Sequence, residues 1–347
     1  MKLRNDQIRQ VAFIRVGGLG DLLVGTAALV ETHRLYPNAS VWIVGHREWL
    51  ELLAPGFWPW CTGIIVLDKM RGTSGTLHIV FDGTWVARET APLRLFYRRV
   101  QAVVNTRYES SRYALGPFLS MVPVRVGSSE WPFRWLYTDW VGQPYRGPAI
   151  HEREMILRVI GGKTETAGLP RLKHDDQVNA ARVVNRPAKS YWLINPTASV
   201  PDKAWPAQRF SELVLRLTAI LDKRAIAVLV IGAPQETEWL KKVARDTGAI
   251  IQPQKLSDLI DVIASARLLI TNASSMQFFA ATTNTRTVTL FGAADPLVWG
   301  PLGQADLVIR GNTEFPDCHD SSEKERRAYE SISVDAVMAL LGPLLVE

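Results

Sequence analysis

Cysteine is almost absent from the sequence: Cys61 and Cys318 are its only two in 347 residues. Neither belongs to a Cys-x-x-Cys pair or has a nearby histidine at a zinc spacing, which argues against a disulfide framework or a structural metal. A reducing cytoplasm fits that usage. Long apolar runs are missing too. Nothing approaches the ~20 residues that cross a bilayer, and residues 1–16 are charged and too briefly apolar for a signal peptide. Neither sign of charge dominates: 40 Lys and Arg stand against 34 Asp and Glu, a net charge of +6, with 21% of residues charged. That balance excludes disorder by composition and an acidic surface. No helix-turn-helix, zinc-finger or aromatic-stacking signature accompanies the arginines, so nucleic acid is not an expected partner. Internal repeats of fixed period and low-complexity tracts are lacking as well.

What is present is enough apolar residue, 47% of 347, for two cores, since ordinary domains run to about 100–200 residues. Short β-branched runs alternate with helix-period segments at residues 11–16, 41–44, 64–67, 77–81 and 122–126. The pattern restarts at 191–194, 226–231, 268–271 and 287–291. Strands separated by helices predict βαβ units and parallel sheets, an α/β class. A helix expected over 151–160 is followed by Gly161, Gly162 and a polar stretch to Pro170 that reads as a linker. The expected domains are residues 1–168 and 169–347.

Three stretches carry chemistry. The first predicted strand ends in Gly17-Gly18-Leu19-Gly20-Asp21 and runs into an apolar helix expected to begin near Leu22. A glycine turn before a helix start lets a ligand approach backbone N–H groups. A dinucleotide fingerprint fails, because its third glycine falls at Leu23 and the second strand ends in Val44-Gly45-His46 without an acid for the ribose. Asp21 is then either a helix cap or a carboxylate at a ligand cleft. In the second half, Thr197, Ser199 and Lys203 precede Trp205-Pro206 and a helix over 210–221. Hydroxyls and one lysine on a strand-end loop suit a diphosphate, and the same stretch is a sensible helix-start turn. The run Arg88, Arg94, Arg98, Arg99, Arg107 and Arg112 is opposed only by Glu89 and Glu109; it is either a solvated face or an attraction for an anionic partner. The aromatic groups Phe57-Trp58-Pro59-Trp60 and Trp131-Pro132-Phe133-Arg134-Trp135 suit packing, an acceptor platform or peripheral membrane contact.

The order of motifs resembles glycosyltransferase family 9, the ADP-heptose:lipopolysaccharide heptosyltransferases. The resemblance rests on Gly20-Asp21, Tyr36-Pro37, the run from Lys203-Ala204-Trp205-Pro206 to Arg209-Phe210, Ile231-Gly232-Ala233-Pro234-Gln235-Glu236, and Phe291-Gly292-Ala293-Ala294-Asp295-Pro296. It covers nearly the whole chain. It implies the GT-B architecture, two facing Rossmann-like domains with an interdomain cleft, the first holding the acceptor and the second the nucleotide-sugar. It also implies inverting, metal-independent transfer of a heptose or related sugar, without a cofactor, from a nucleotide diphospho-sugar such as ADP-heptose to a hydroxyl of an anionic glycolipid or other glycan.

Carried onto matching positions, the base role falls on Asp21, diphosphate contact on Lys203 and ribose contact on Glu236. Donor contacts are further expected from Thr197, Ser199, Asn272, Ser274, Ser275 and Gln277, with the start of a helix near 274–276 facing the leaving diphosphate. Acceptor contacts are expected from Gly18, Gly20, Arg88, Arg94 and Arg98. Two departures stand out. The family's Asp-Thr/Ser-Gly-x-x-His appears as Asn272-Ala273-Ser274-Ser275-Met276-Gln277, which removes a charged acceptor and a titratable donor and leaves the donor sugar open. Ala27 stands where the family usually has proline, with an effect confined to the helix start. The rival expectation is a non-catalytic sugar-nucleotide or glycan-binding protein; retention of Asp21 and Lys203 argues against it.

Overall fold

The computed structural model describes residues 5–45, 61–66, 79–81, 84–86, 97–106, 112–128, 133–141, 151–160, 184–302, 307–315, 317–318 and 320–346. The chain divides into two compact units, Met1–Pro170 and Arg171–Glu347. Arg88, Arg94, Arg107, Trp58, Trp60, Trp131 and position 168 lie outside the described residues.

In the first unit β1 (Gln10–Arg15), α1 (Leu19–Leu35), β2 (Ser40–Gly45) and β3 (Cys61–Val66) are followed by the short strands β4 (Ile79–Phe81) and β5 (Thr84–Val86). Then come β6 (Ala102–Asn105), α2 (Arg112–Leu119), β7 (Val124–Ser128), β8 (Asp139–Val141) and α3 (Glu152–Val159). One sheet runs in the order β3-β2-β1-β6-β7-β8, with every neighbouring pair parallel. β4 and β5 make a separate antiparallel pair.

The second unit contains β9 (Tyr191–Asn195), α4 (Ala207–Leu221), β10 (Ala227–Gly232), α5 (Thr237–Ala244), β11 (Ile250–Pro253), α6 (Leu256–Ala264) and β12 (Leu268–Asn272). It continues with α7 (Ser275–Thr283), β13 (Thr287–Phe291), α8 (Pro296–Trp299), β14 (Leu307–Arg310), α9 (Ser321–Ser331) and α10 (Val334–Val346). Its parallel sheet repeats the same order, β11-β10-β9-β12-β13-β14. Each sheet is therefore wound outward in both directions from its first strand, as in a Rossmann fold, and the order reverses between β1 and β6 and again between β9 and β12.

The sequence explains the layers. Val11–Ile14 and Tyr191–Ile194 are almost fully buried at every position, which requires cover on both faces of each sheet and hence parallel strands joined by helices. In β12, Leu268 and Ile270 enter the core formed with Phe210, Leu213 and Leu217 of α4 and Val337 and Leu341 of α10; the alternating residues Leu269 and Thr271 point to the opposite face. Helix α10 buries Val334, Val337, Leu341 and Leu344, a spacing that puts all four on one side.

Sequence and structure differ in places. β6, β8, β11 and β14 are each four residues or fewer, and the last two stand at sheet edges with no continuous buried run, so no strong pattern marks them. The strand expected at 122–126 occupies 124–128, because Val122 closes a turn onto the carbonyl of Pro117 after Met121 takes a positive φ of 57°. Among the described residues no single helix is long and apolar enough to cross a membrane. α9 and α10 reach that length and composition only jointly, bent by 59°, and both place residues in the second core.

Candidate functional site

Asp21 lies at the carboxyl end of β1, beside the order reversal of the first sheet. Helix α1 begins at Leu19 rather than near Leu22, so Asp21 falls in its first turn. The turn before it is shaped by the carboxylate. Gly18 N–H donates to Asp21 Oδ2 at 2.7 Å, and at Gly17, with φ of 154°, a Cβ would stand 2.4 Å from the same oxygen. The side chain keeps 25% exposure. Capping and an accessible carboxylate thus coexist in one residue.

Beneath it lies Arg15, which sequence reasoning did not single out. Its side chain is fully buried, with Nη2 3.5 Å from Asp21 Oδ1, Nε donating to the Asp21 carbonyl at 3.0 Å and Nη1 to the Thr106 carbonyl at 3.1 Å. An arginine closing an otherwise apolar strand is the signal that could have found it. Next along the sheet, the buried Asn105 amide donates to Tyr137 Oη at 2.8 Å. Burial pushes the Tyr137 phenol up to about 12, against the opposing effect of that hydrogen bond, so it remains a neutral hydroxyl at ordinary pH. Gly127 makes room for its ring, since a Cβ there would lie 2.1 Å from Tyr137 Cε1.

Gly18 and Gly20 belong to the same edge as Asp21. Arg98 does not. It is exposed in the turn preceding β6, at the edge where these parallel strands begin, about 20 Å from Asp21 for a six-residue strand.

In the second unit, Asn195 ends β9 and ties three strand ends together. Its Nδ2 donates to the Ile231 carbonyl at 3.0 Å and to Thr197 Oγ1 at 3.1 Å, and Oδ1 accepts from Thr271 Oγ1 at 3.3 Å. Thr197 is half-buried, whereas Ser199 and Lys203 are exposed on the loop that follows. Trp205, fully buried, anchors that loop. Its indole donates to the Ile332 carbonyl at 3.0 Å, Arg209 donates to the same carbonyl, and the ring meets Phe210 edge to face at 5.0 Å. Lys203 is thereby an exposed cation on an anchored loop.

Asn272 is completely buried. Its Oδ1 accepts from Trp205 N–H at 3.0 Å and its Nδ2 donates to the Thr197 carbonyl at 3.3 Å, so the amide braces the loop from behind. Ser274 caps α7, accepting from Met276 N–H at 3.3 Å while sharing a hydrogen bond with Thr271 at 3.1 Å; Ser275 follows as the first, partly exposed helical residue. The start of that helix can receive an anion. Gln277, 2% exposed, donates to the Trp299 carbonyl at 3.0 Å, and its Oε1 has no hydrogen-bond partner among the described residues.

Glu236, half-buried at the end of β10, accepts from Ala233 N–H at 2.7 Å. Like Asp21 it turns back on the strand-end turn preceding it. A further pair missed in the sequence holds the last loop. Glu325 accepts from Ala293 N–H at 3.0 Å, and buried Tyr329 donates to the Leu290 carbonyl at 3.1 Å, both lying where a Cβ on Gly292 would collide. Desolvation holds the Tyr329 phenol far above its ordinary range. Among the described residues no group of three or more His, Cys, Asp or Glu side chains could hold a metal ion.

Comparisons with known proteins bear on the fold and the family. Lipopolysaccharide heptosyltransferase 1 of Escherichia coli is 24% identical over 168 residues, which are 47% of this chain and 50% of that protein, so the match spans about half the length of that relative. The lipopolysaccharide core heptosyltransferase OpsX of Haemophilus influenzae is 23% identical over 323 residues, 89% of this chain and 86% of that protein. The solved structure of E. coli ADP-heptose LPS heptosyltransferase II shares the fold at a TM-score of 0.73 and 18% identity, covering 97% of this chain and 98% of that one. The family model for glycosyltransferase family 9 (heptosyltransferase) matches residues 130–328, and with more than half of the sequence inside that match the chain belongs to glycosyltransferase family 9.

Proposed function

We propose that the protein is an inverting glycosyltransferase that moves a heptose or related sugar from an ADP-linked donor to a hydroxyl of an anionic glycolipid, as the names of its relatives suggest. In this reading residues 1–168 hold the acceptor and 169–347 the nucleotide-sugar. The observation that carries it is the placement of two groups. A part-exposed carboxylate, Asp21, and an exposed cation, Lys203, each follow the first strand of a sheet, at the point where that sheet's order reverses. Ligands of open α/β sheets bind there.

Asp21 takes the proton of the acceptor hydroxyl as its oxygen attacks the anomeric carbon. The bond from that carbon to the diphosphate breaks on the opposite face, and the configuration inverts. Negative charge growing on the departing diphosphate is met by Lys203, the Thr197 and Ser199 hydroxyls and the start of α7 near Ser274 and Ser275. This set makes the reaction metal-independent. Glu236 meets the nucleoside ribose. Asn272 and Gln277, both buried, shape the pocket from behind its surface. Arg98 and Arg99, far along the strand from Asp21, contribute long-range attraction for an anionic acceptor rather than contact at the reacting hydroxyl. The protein works in the cytoplasm, peripherally at the inner face of the membrane, where such an acceptor is presented.

The deciding experiment is incubation with ADP-heptose and a heptose-free lipopolysaccharide, with product detected by mass spectrometry. Product with an inverted anomeric configuration supports the reading. Tight ADP-heptose binding without product from any truncated lipopolysaccharide favours a non-catalytic binder.

A further inference from the structure

We propose that Arg15 is the positioning residue of Asp21: its buried guanidinium fixes the direction in which the carboxylate points, so that sugar transfer depends on it. The proposal rests on the reading of Asp21 as the base.

The residue is unusual for its place. It ends a strand whose preceding four residues, Val11–Ile14, are buried and apolar, and it is itself fully buried. A guanidinium stays charged at ordinary pH, and leaving it dry is costly unless directed partners surround it. Here Nε and Nη2 both address Asp21, the first donating to its carbonyl at 3.0 Å and the second facing Oδ1 at 3.5 Å. One planar fork thus holds both the main chain and the side chain of a single residue. A grip on the main chain alone would leave Oδ1 without a facing cation. With Oδ2 accepting from Gly18 N–H, both oxygens are steadied, and the remaining lone pairs serve the exposed side from which an acceptor hydroxyl must come.

The fork is fixed in turn. Nη1 donates to the Thr106 carbonyl at 3.1 Å, and the Thr106 hydroxyl donates to the Ile14 carbonyl at 2.9 Å. Arg15 therefore spans β1 and the residue after β6, across the reversal of strand order. On the other side α1 lies on the arginine stem. A Cβ on Gly25 would come within 2.9 Å of Arg15 Cγ and 3.3 Å of Cδ and Nε. Glycine is poorly suited to a helix interior, and at this position it gives the arginine its space.

A purely structural tie between β1 and β6 would use the Thr106 contact and need no relation to Asp21. A double-mutant cycle on the full chain separates the two. Arg15→Lys, Gly25→Ala, Asp21→Asn and the two doubles with Asp21→Asn are compared by circular dichroism, ADP affinity, and kcat and KM for ADP-heptose with a heptose-free lipopolysaccharide acceptor. Arg15→Lys and Gly25→Ala are expected to leave ADP affinity and donor KM within about twofold while lowering kcat by about 10- to 100-fold, the scale of a misplaced reacting group. In the Asp21→Asn background neither should lower kcat further. Gly25→Ala keeps every charge and shifts only the arginine stem, so it carries the test if Arg15→Lys does not fold. Wild-type kcat in a folded variant, or losses that simply multiply with that of Asp21→Asn, would overturn the proposal. Undiminished transfer by Asp21→Asn alone sinks the base reading instead, a separate outcome.

Discussion

Asn272 accepts the backbone N–H of Trp205 at 3.0 Å, joining a strand end to a loop 67 residues earlier in the chain. Because the same amide donates to the Thr197 carbonyl, aspartate would keep the first contact and set a carboxylate oxygen against a carbonyl in the second. Asn272→Asp should therefore cost about 1–3 kcal/mol of stability, the usual penalty of a buried polar group left unpaired. Urea unfolding monitored by tryptophan fluorescence measures it, and an unchanged midpoint would show that the Thr197 contact carries nothing.

Asp21→Asn should fold and bind ADP, since an amide oxygen can still accept from Gly18 N–H in the capping box, at some cost in stability from the lost counter-charge of buried Arg15. Loss of the ionisable carboxylate should lower transfer by a factor of about 10² or more. Folding, ADP affinity and product formation belong on one preparation. Near-normal transfer by the folded variant would leave Asp21 as a cap.

Lys203 is exposed on its loop, so Lys203→Ala should leave stability unchanged. Calorimetric titration with ADP and with adenosine is the check. ADP affinity should fall at least tenfold, the loss of a hydrogen bond to a charged group being about 1.5–3 kcal/mol, while adenosine binding holds. Equal losses would remove the phosphate role.

Chelation tests the metal-independent reading directly. Transfer should proceed at the same rate in excess EDTA as in added magnesium. Abolition by the chelator, with recovery on adding a divalent cation, would move the task of meeting the diphosphate charge from Lys203 and α7 to a metal.

If Arg98 and Arg99 act through long-range charge, raising salt should increase the acceptor KM more than the donor KM, because exposed charges are screened within about 10 Å at 0.1 M ionic strength. Charge reversal at both positions should act in the same direction. Steady-state kinetics at two salt concentrations decides it, and an acceptor KM indifferent to both changes returns the arginines to a solvated surface.

What could be read from the sequence was mostly local. The glycine turn before Asp21 is a pattern of fewer than ten residues in the first unit, and the alternation of short apolar strands with helices recurs along both units. Lys203 was visible for the same reason, two positions before a tryptophan and a proline. Partnerships that span the chain left no such mark. Nothing near Asn272 announces Trp205, and nothing near Ala293 announces Glu325, because those contacts exist only once the sheet has brought distant loops together. Arg15 lies between these cases: its charge within an apolar strand was readable, its partner was six residues away, and its meaning came from Thr106 and Gly25.

The hydrogen bond from the Trp205 indole to the Ile332 carbonyl joins positions 127 residues apart. During synthesis, the loop bearing Lys203 would leave the ribosome long before the segment that anchors it. Non-local closures of this kind form late and slowly, so the loop acquires its fixed shape only when α9 and the start of α10 have docked. A nascent chain halted before residue 332 would already contain Lys203, Asn272 and Glu236, yet would lack the carbonyl that holds the tryptophan in place.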